Sequence, residues 1–254
     1  MKNLILSTLL AVLAFALTAA FLPAIAGVLP AVGVFTASFY VIARRVNREL
    51  EVAMPALMPL LQERKIDEAK ALLDTLSAKW GPWQPMLAGQ LTAQKGMLDY
   101  MQLKWDEALP QLEAGKWRNW QILVSIGLVH HRRNRTAQAD QTLTEATLLA
   151  GKEPMVYLVR AVLKHRAKQD DAALQILAEG LKKVPGSDLL NKAQQSLANG
   201  KGLDVSTFPE AWFQFFPEDM LHLQLTRARS GAGPVQNSAY PQQPPPANRK
   251  MRRR

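Results

Sequence analysis

Forty consecutive residues without a charged side chain, 4–43, constrain this chain more than any other feature. A helix crosses the roughly 30 Å hydrocarbon core of a bilayer with about 20 apolar residues, because every backbone N–H and C=O must be satisfied within the segment. The run is twice that length and is broken near its middle by Phe21-Leu22-Pro23, then by Gly27 and Pro30. Two helices, roughly 4–21 and 24–43, joined by a tight apolar turn, fit this pattern and make residues 1–45 a membrane anchor. Lys2 stands at one end, and Arg44, Arg45 and Arg48 at the other. By the positive-inside rule both ends face the cytoplasm, and the expected location is a bacterial inner membrane. Ala16 with Ala20, and Gly33 with Ala37, each four apart, would let two such helices approach closely. A cleaved signal peptide is the competing reading: Met1-Lys2-Asn3 is a charged start, and Ala24-Ile25-Ala26 before Gly27 looks like a small-residue cleavage site. Against it, the apolar run 4–22 has 19 residues, longer than the ~7–15 usual for a signal core. After cleavage, residues 28–43 and the arginines behind them would still hold the protein in a membrane. A single long kinked helix is the third version, and membrane attachment is common to all three.

Charge is concentrated at the ends. Of the formal net +10, residues 227–254 supply seven Arg or Lys without an acid and the first 51 residues supply +2, leaving about +1 between. A fold-wide basic surface for duplex nucleic acid is therefore not supported. The chain has no cysteine, which removes disulfides, thiol catalysis and Cys-ligated metal sites.

The middle of the chain repeats. Gly127 aligns with Ala161, Ala139 with Ala173, Leu143 with Leu177 and Ala146 with Gly180, every offset being 34 residues. Within each unit the small residues stand 12 apart, and Pro185 closes the second unit five residues after Gly180. That spacing suits two antiparallel helices: a small residue in the first lets the second approach, and a small residue early in the second does the same in return. Gly96, Ala108 and Leu112 keep the internal spacing, with Trp105 between the helices. Ala69, Leu73 and Leu76 mark a weaker first unit, whose first helix is interrupted by Pro55 and Pro59. Ala69 to Ala108 is 39 residues and Ala108 to Ala139 is 31.

Over about residues 46–185 this pattern resembles the tetratricopeptide repeat family, with its 34-residue helix–turn–helix units, small residues at these points and closing proline. The resemblance implies a short α-solenoid, and with the apolar N-terminus and the composition of the last residues the expected fold is all-α: an N-terminal transmembrane helical hairpin, the solenoid with its capping helix over residues 46–200, and a disordered basic tail. Residues 188–198 read as that capping helix. Residues 201–226 form an aromatic-rich extension containing Phe208, Trp212, Phe213, Phe215 and Phe216, whose rings are expected to fold back on the last repeat; a partner or membrane-interface patch is the sharper alternative. Residues 227–254 are rich in Gly, Ser, Gln, Asn and Pro, and are expected to be disordered.

In solenoids of this family the first helix of each unit lines a concave groove. Counting from the first-helix small residue places His131 and Arg132 there in one unit and His165 and Arg166 in the next, with Tyr100 and Met101 as their equivalents in the unit before. Val124, Leu128, Leu158 and Val162 would form an apolar floor. An apolar floor beside a basic stripe suits a peptide with hydrophobic and acidic side chains. The pattern lacks the Lys/Asn clamp by which some members hold a C-terminal carboxylate. His130 and His131 are adjacent on a helix and point about 100° apart, so they cannot share one ion, and no nearby acid completes a set with His165; no metal and no cofactor is expected. No phosphate-cradling glycine loop, nucleophile elbow or acid–base pair is recognisable, so no enzymatic activity is expected. Asp67-Glu68 and Asp170-Asp171 fall at inter-helix turns, where acids favour the start of the second helix. Arg249, Lys250, Arg252, Arg253 and Arg254 would bind anionic lipid or an acidic partner. What the resemblance implies is a membrane-anchored scaffold or adaptor that binds protein partners and organises a larger complex. The alternative is a nucleic-acid- or ribosome-associated membrane factor acting through the tail.

Overall fold

The computed structural model describes residues 1–21 and 23–229; residues 230–254, with the basic cluster Arg249, Lys250, Arg252, Arg253 and Arg254, lie outside the described residues. All regular structure among the described residues is helical. Helix α1 (Lys2–Ala19) and helix α2 (Val28–Ala53) pack along each other as a hairpin, joined through the 3-10 turn Ala24–Gly27 that follows Pro23. Each is long and apolar enough to cross a membrane. Helix α2 does not stop at Ala43. It runs on to Ala53, because no residue between Arg44 and Ala53 breaks a helix, and Pro55 is the first that withholds a backbone N–H.

The hairpin interface differs from the one expected. Ala16, Ala20, Gly33 and Ala37 are all exposed, and a Cβ on Gly33 would meet nothing within 4 Å. The inward positions are instead Asn3, Ser7, Ala11, Ala14 and Thr18 on α1, and Ala31, Phe35, Ser38 and Ile42 on α2. Their spacings are all fours and threes, the seam that keeps facing one partner along two helices. Close approach occurs at Gly27, where an added Cβ would lie 2.8 Å from Thr18 Oγ1. Asn3 Nδ2 donates to the Phe39 carbonyl at 3.3 Å and Ser7 Oγ donates to Asn3 Oδ1 at 3.2 Å, so this end of the seam is polar yet buried.

Beyond α2, Pro55 and Pro59 leave a 3-10 turn (Met54–Ala56) and a helix of only six residues, α3 (Leu57–Gln62). The chain then forms α4 (Ile66–Trp80), α5 (Leu87–Met101), α6 (Trp105–Ala114), α7 (Trp120–Arg132), α8 (Thr136–Leu149), α9 (Pro154–Arg166) and α10 (Asp170–Lys183). Consecutive helices pair as α3/α4, α5/α6, α7/α8 and α9/α10. All four pairs share one turn. Arg64, Leu103, Asn134 and Lys168 each take a positive φ (59°, 65°, 58° and 59°). The next residue's N–H, at Lys65, Lys104, Arg135 and Gln169, reaches back to the carbonyl of Leu60, Asp99, His130 and Lys164 at 2.8 to 3.0 Å. Four residues after that comes the alanine, Ala69, Ala108, Ala139 or Ala173, all at most 2% exposed. Opposite these stand Gly96 and Gly127: an added Cβ on Gly96 would meet the Leu112 backbone N at 2.9 Å, and one on Gly127 would meet Leu143 Cγ at 2.8 Å. The packing is tight because the side chains there are small.

Two clusters form the interior. One joins Val46 of α2 to Leu57, Ala69, Leu73, Leu76, Leu87 and Leu91. The larger runs from α5 to α11 (Asp188–Ala198), a helix started by the Ser187 side chain accepting from the Leu190 N–H at 3.4 Å. Between them, nearly buried Asp99 accepts from Lys70 and from Gln111 Nε2 (2.8 Å), which ties α4, α5 and α6 together. The chain ends, among the described residues, in α12 (Pro217–Arg229).

Ala173→Leu is expected to cost about 1–3 kcal/mol, since an overpacked contact cannot relax against backbone. The detergent-purified chain should then melt at a lower temperature, and an unchanged midpoint would mean that the small-residue register is wrong.

Candidate functional site

Helices α5, α7 and α9, each the first of its pair, end in Tyr100, Arg132 and Arg166 near their C-termini, where a cation is favoured by the helix dipole. These three side chains converge on one object, the chain's own segment 208–219. It enters through a 3-10 turn, Glu210–Gln214, and leaves as α12, whose start is set by Pro217 followed by two acids, Glu218 and Asp219. Trp212, Phe215 and Phe216 are at most 2% exposed. Trp212 stacks on Phe216 at 4.2 Å between centroids and meets Phe208 edge-on at 4.8 Å, while Phe215 lies 5.9 Å from Trp120 of α7.

Arg132 is the centre of this site. Its Nη1 donates to Tyr100 Oη at 2.7 Å, its Nη2 to the Phe215 carbonyl at 3.2 Å, and its Nε and Nη2 to Glu218 Oε1. Its plane lies 4.3 Å from the Trp105 ring centroid, with Tyr100 and Phe216 farther out. Tyr100 Oη donates in turn to the Phe215 carbonyl at 2.6 Å. One residue on, Asp219 Oδ2 accepts from Arg166 Nη2 at 2.6 Å and from Trp212 Nε1 at 3.0 Å, and Arg166 covers Phe216 at 4.8 Å. Burial pushes the Tyr100 hydroxyl well above its ordinary range, although Arg132 pulls it down. Burial works against the charge on Arg132, but Tyr100 and Glu218 hold its pKa above the ordinary value. The site is thus a cationic pair framed by aromatic rings, which accepts aromatic side chains followed by two carboxylates.

The residues expected in the groove separate into three groups. Arg132 and Arg166 face the segment as a pair, 34 positions apart in sequence. Val124, Leu128, Leu158 and Val162 are at most 2% exposed and belong to the same interior cluster as Trp212, Phe215 and Phe216, so they are covered rather than open. His131 and His165 turn elsewhere. His131 lines a cleft of about 290 Å³ with Asp140, Arg160 and Lys164, and His165 Nδ1 lies 2.6 Å from Asp170 Oδ1 at the start of α10. A side chain one residue from Arg132 on a helix points about 100° away, which is why the two neighbours part company. His130 is buried on the far side of α7, near Glu113, Lys116 and Arg135. Among the described residues no three of His, Asp or Glu converge as a metal would require. The segment meets α5 through the Phe215 carbonyl, α7 through the Phe215 ring on Trp120 and α9 through Phe216 under Arg166, further back than the last repeat on which the rings were expected to fold.

Sequence reasoning did not identify Glu218 and Asp219 as ligands of the arginines; the Pro-Glu-Asp helix start was their only local signal. It also missed the face left open beside them, an apolar cleft of about 570 Å³ between α3, α5 and the 210–214 turn, walled by Leu57, Leu61, Met97, Leu98 and Met101. No family model, curated protein or solved structure matches the chain.

Truncating Arg132 to Ala leaves Glu218 without its donor and the Phe215 carbonyl with Tyr100 Oη alone; because Glu218 is 37% exposed, the loss should be about 1–2 kcal/mol, below that of a fully buried pair. Hydrogen exchange at residues 208–219 should rise sharply while α9 and α10 stay protected; unchanged exchange would mean that the rings alone hold the segment. A second expectation concerns pH. Burial lowers the pKa of His130 and His131 below 6.5, helped by Arg135 in one case and Arg132 in the other. The unfolded chain therefore binds protons more readily, so stability is full above about pH 6.5 and is lost as the pH falls below it. The thermal midpoint should drop between pH 7.5 and pH 5.5, and His131→Gln should remove part of that drop; a variant with the wild-type pH dependence would clear His131 of the effect.

Proposed function

We propose that this chain is a membrane-anchored scaffold or adaptor of the tetratricopeptide type, which holds protein partners against a bacterial inner membrane from the cytoplasmic side. The observation that carries the reading is the occupied face of α5, α7 and α9, which binds a short aromatic and acidic segment through Tyr100, Arg132 and Arg166. A surface that holds such a segment from its own chain has the chemistry to recognise one from another protein. The repeat reading is supported by the four inter-helix turns with one geometry, each followed by a buried alanine. Membrane attachment is supported by α1 and α2, whose outward faces carry Leu9, Val12, Leu13, Leu29 and Val32 at 57% exposure or more, an apolar surface that water disfavours.

Partners reach the chain at the open end of this face. The cleft beside Met101 and Leu61 is lined by flexible methionines and leucines, which adapt to an apolar side chain. A partner that binds there alone leaves segment 208–219 in place; one that carries its own aromatic-acidic segment competes with it. The chain then works as an assembly platform.

Two measurements test this. A reporter fused after Arg254 should be active only in its cytoplasmic form, and activity of an export-dependent reporter would overturn the orientation. A photocrosslinking side chain placed at Met101 in the full-length protein should give discrete protein adducts in membranes, whereas one at exposed Leu148 of α8 should not. Equal labelling at both positions, or none at Met101, would leave the scaffold reading without its binding surface.

A further inference from the structure

Helix α2 carries two faces where it leaves its apolar stretch. Val46, Leu50 and Ala53 turn toward the helical repeats and pack in the smaller interior cluster. The same side is fixed by Gln84 Nε2, which donates to the Ala43 carbonyl and to Asn47 Oδ1, both at 3.2 Å. At about 100° per residue, Val41, Arg44 and Arg48 fall on the opposite side, with Tyr40 and Arg45 at its two edges. All five are exposed, Tyr40 and Val41 at 61% and 63%, and they border an open hollow of about 670 Å³. Among the described residues no carboxylate lies within 4 Å of Arg44, Arg45 or Arg48. Glu51 borders the same hollow one turn beyond Arg48, on the side away from the apolar stretch. Three cations within five residues of one helix repel each other unless an anion lies between them.

Position says which anion. The apolar part of α2 from Val28 to Ala43 is about 24 Å long at 1.5 Å per residue, somewhat shorter than a hydrocarbon core, so the arginines that follow lie at headgroup depth. There the ring of Tyr40 and the side chain of Val41 meet acyl chains, while the guanidinium groups one turn later meet phosphate, which they bind in a forked, two-point fashion. We propose that the Tyr40–Val41–Arg44–Arg45–Arg48 face of α2 is a binding site for the phosphate headgroup of an anionic membrane lipid. The inference rests on the membrane reading given above. Its consequence is orientation: Gln84 locks this turn of α2 to the repeats, so a lipid held there fixes the angle at which the repeats meet the membrane.

The test uses the full chain reconstituted in phosphatidylcholine discs containing a minority of phosphatidylglycerol, then released into neutral detergent, with retained lipids counted by native mass spectrometry. The wild-type chain should retain phosphatidylglycerol over phosphatidylcholine. The variant Arg44→Gln/Arg45→Gln/Arg48→Gln should retain at least about fivefold less, the arginine–phosphate attraction being its main hold, with an unchanged melting temperature because all three side chains are exposed. Arg252→Gln/Arg253→Gln/Arg254→Gln should retain as much as wild type. Equal retention by the α2 variant, or loss caused by the tail variant instead, overturns the site. Displacement of the lipid by millimolar inorganic phosphate also overturns it, by showing a soluble-anion site. Failure of the wild-type chain to enter the discs would sink the membrane reading itself, an outcome distinct from normal incorporation without lipid preference.

Discussion

Two helices joined by a three-residue turn can bury their facing stripes only if their backbones come close, and here that closeness depends on one alanine at the start of each second helix. Ala69, Ala108, Ala139 and Ala173 are fully or almost fully buried. At Gly96 and Gly127 even a methyl group would strike the partner helix. The turn makes the approach possible by placing a left-handed residue, Arg64, Leu103, Asn134 or Lys168, at one point in each pair. None of the four is glycine, so each turn accepts backbone strain of roughly 1–2 kcal/mol in return for the packing it permits. The four pairs from α3 to α10 are built from this contact repeated, which is why the irregular spacings of 39 and 31 residues fall between pairs and leave the turn itself unchanged.

Stacked pairs leave the ends of α5, α7 and α9 side by side, and the chain uses that alignment to hold its own C-terminal segment. Arg132 would be costly to cover if it were unpaired. It is instead matched by a phenol, a carbonyl and a carboxylate, with an aromatic ring against its plane. Arg166 repeats the arrangement on Asp219 with less burial. Rings and charges act together here: the rings exclude water, which strengthens the hydrogen bonds, and the hydrogen bonds hold the rings in one register. One oxygen, Glu218 Oε2, is buried with no hydrogen-bond partner among the described residues, and this makes the carboxylate end the weaker part of the hold.

The same logic of paired surfaces applies at the hairpin. The Lys2 and Asn3 N–H groups, two of those that a helix start leaves unsatisfied, donate to the Pro82 and Trp83 carbonyls at 2.6 and 3.2 Å. Gln84, two residues after Pro82, holds α2. A single loop between α4 and α5 therefore grips both ends of the hairpin, and α2 carries that connection without interruption into the first cluster through Val46. The hairpin and the helix pairs are fastened at several points, so the face formed by α5, α7 and α9 has a defined direction relative to the hairpin.

The sequence by itself determined the elements as far as α11, whereas α12 occupies part of the aromatic-rich extension and its last three residues fall in the stretch expected to be disordered. The charge-free run specified two apolar helices, the prolines at 55 and 59 specified a stunted third, the recurrence of small residues at 12 and 34 located the helix pairs, and an amphipathic stretch after Pro185 located the helix over 188–198. Those signals are local or periodic, so they survive without knowledge of what packs on what. Of the proposed groove residues, Arg132 and Arg166 were legible for the same reason, since a residue at equal places in successive units shares a surface. Only the tertiary structure decided what that surface holds. The pairing of Arg132 with Glu218 spans 86 residues and that of Arg166 with Asp219 spans 53, and no periodicity links a repeat to a segment outside the repeats. The side of each apolar helix that faces its neighbour was equally invisible: Gly33 and Ala37 satisfy a small-residue spacing, yet they point outward. Spacing gives a stripe its period, whereas the direction it faces follows from the contacts made elsewhere in the chain.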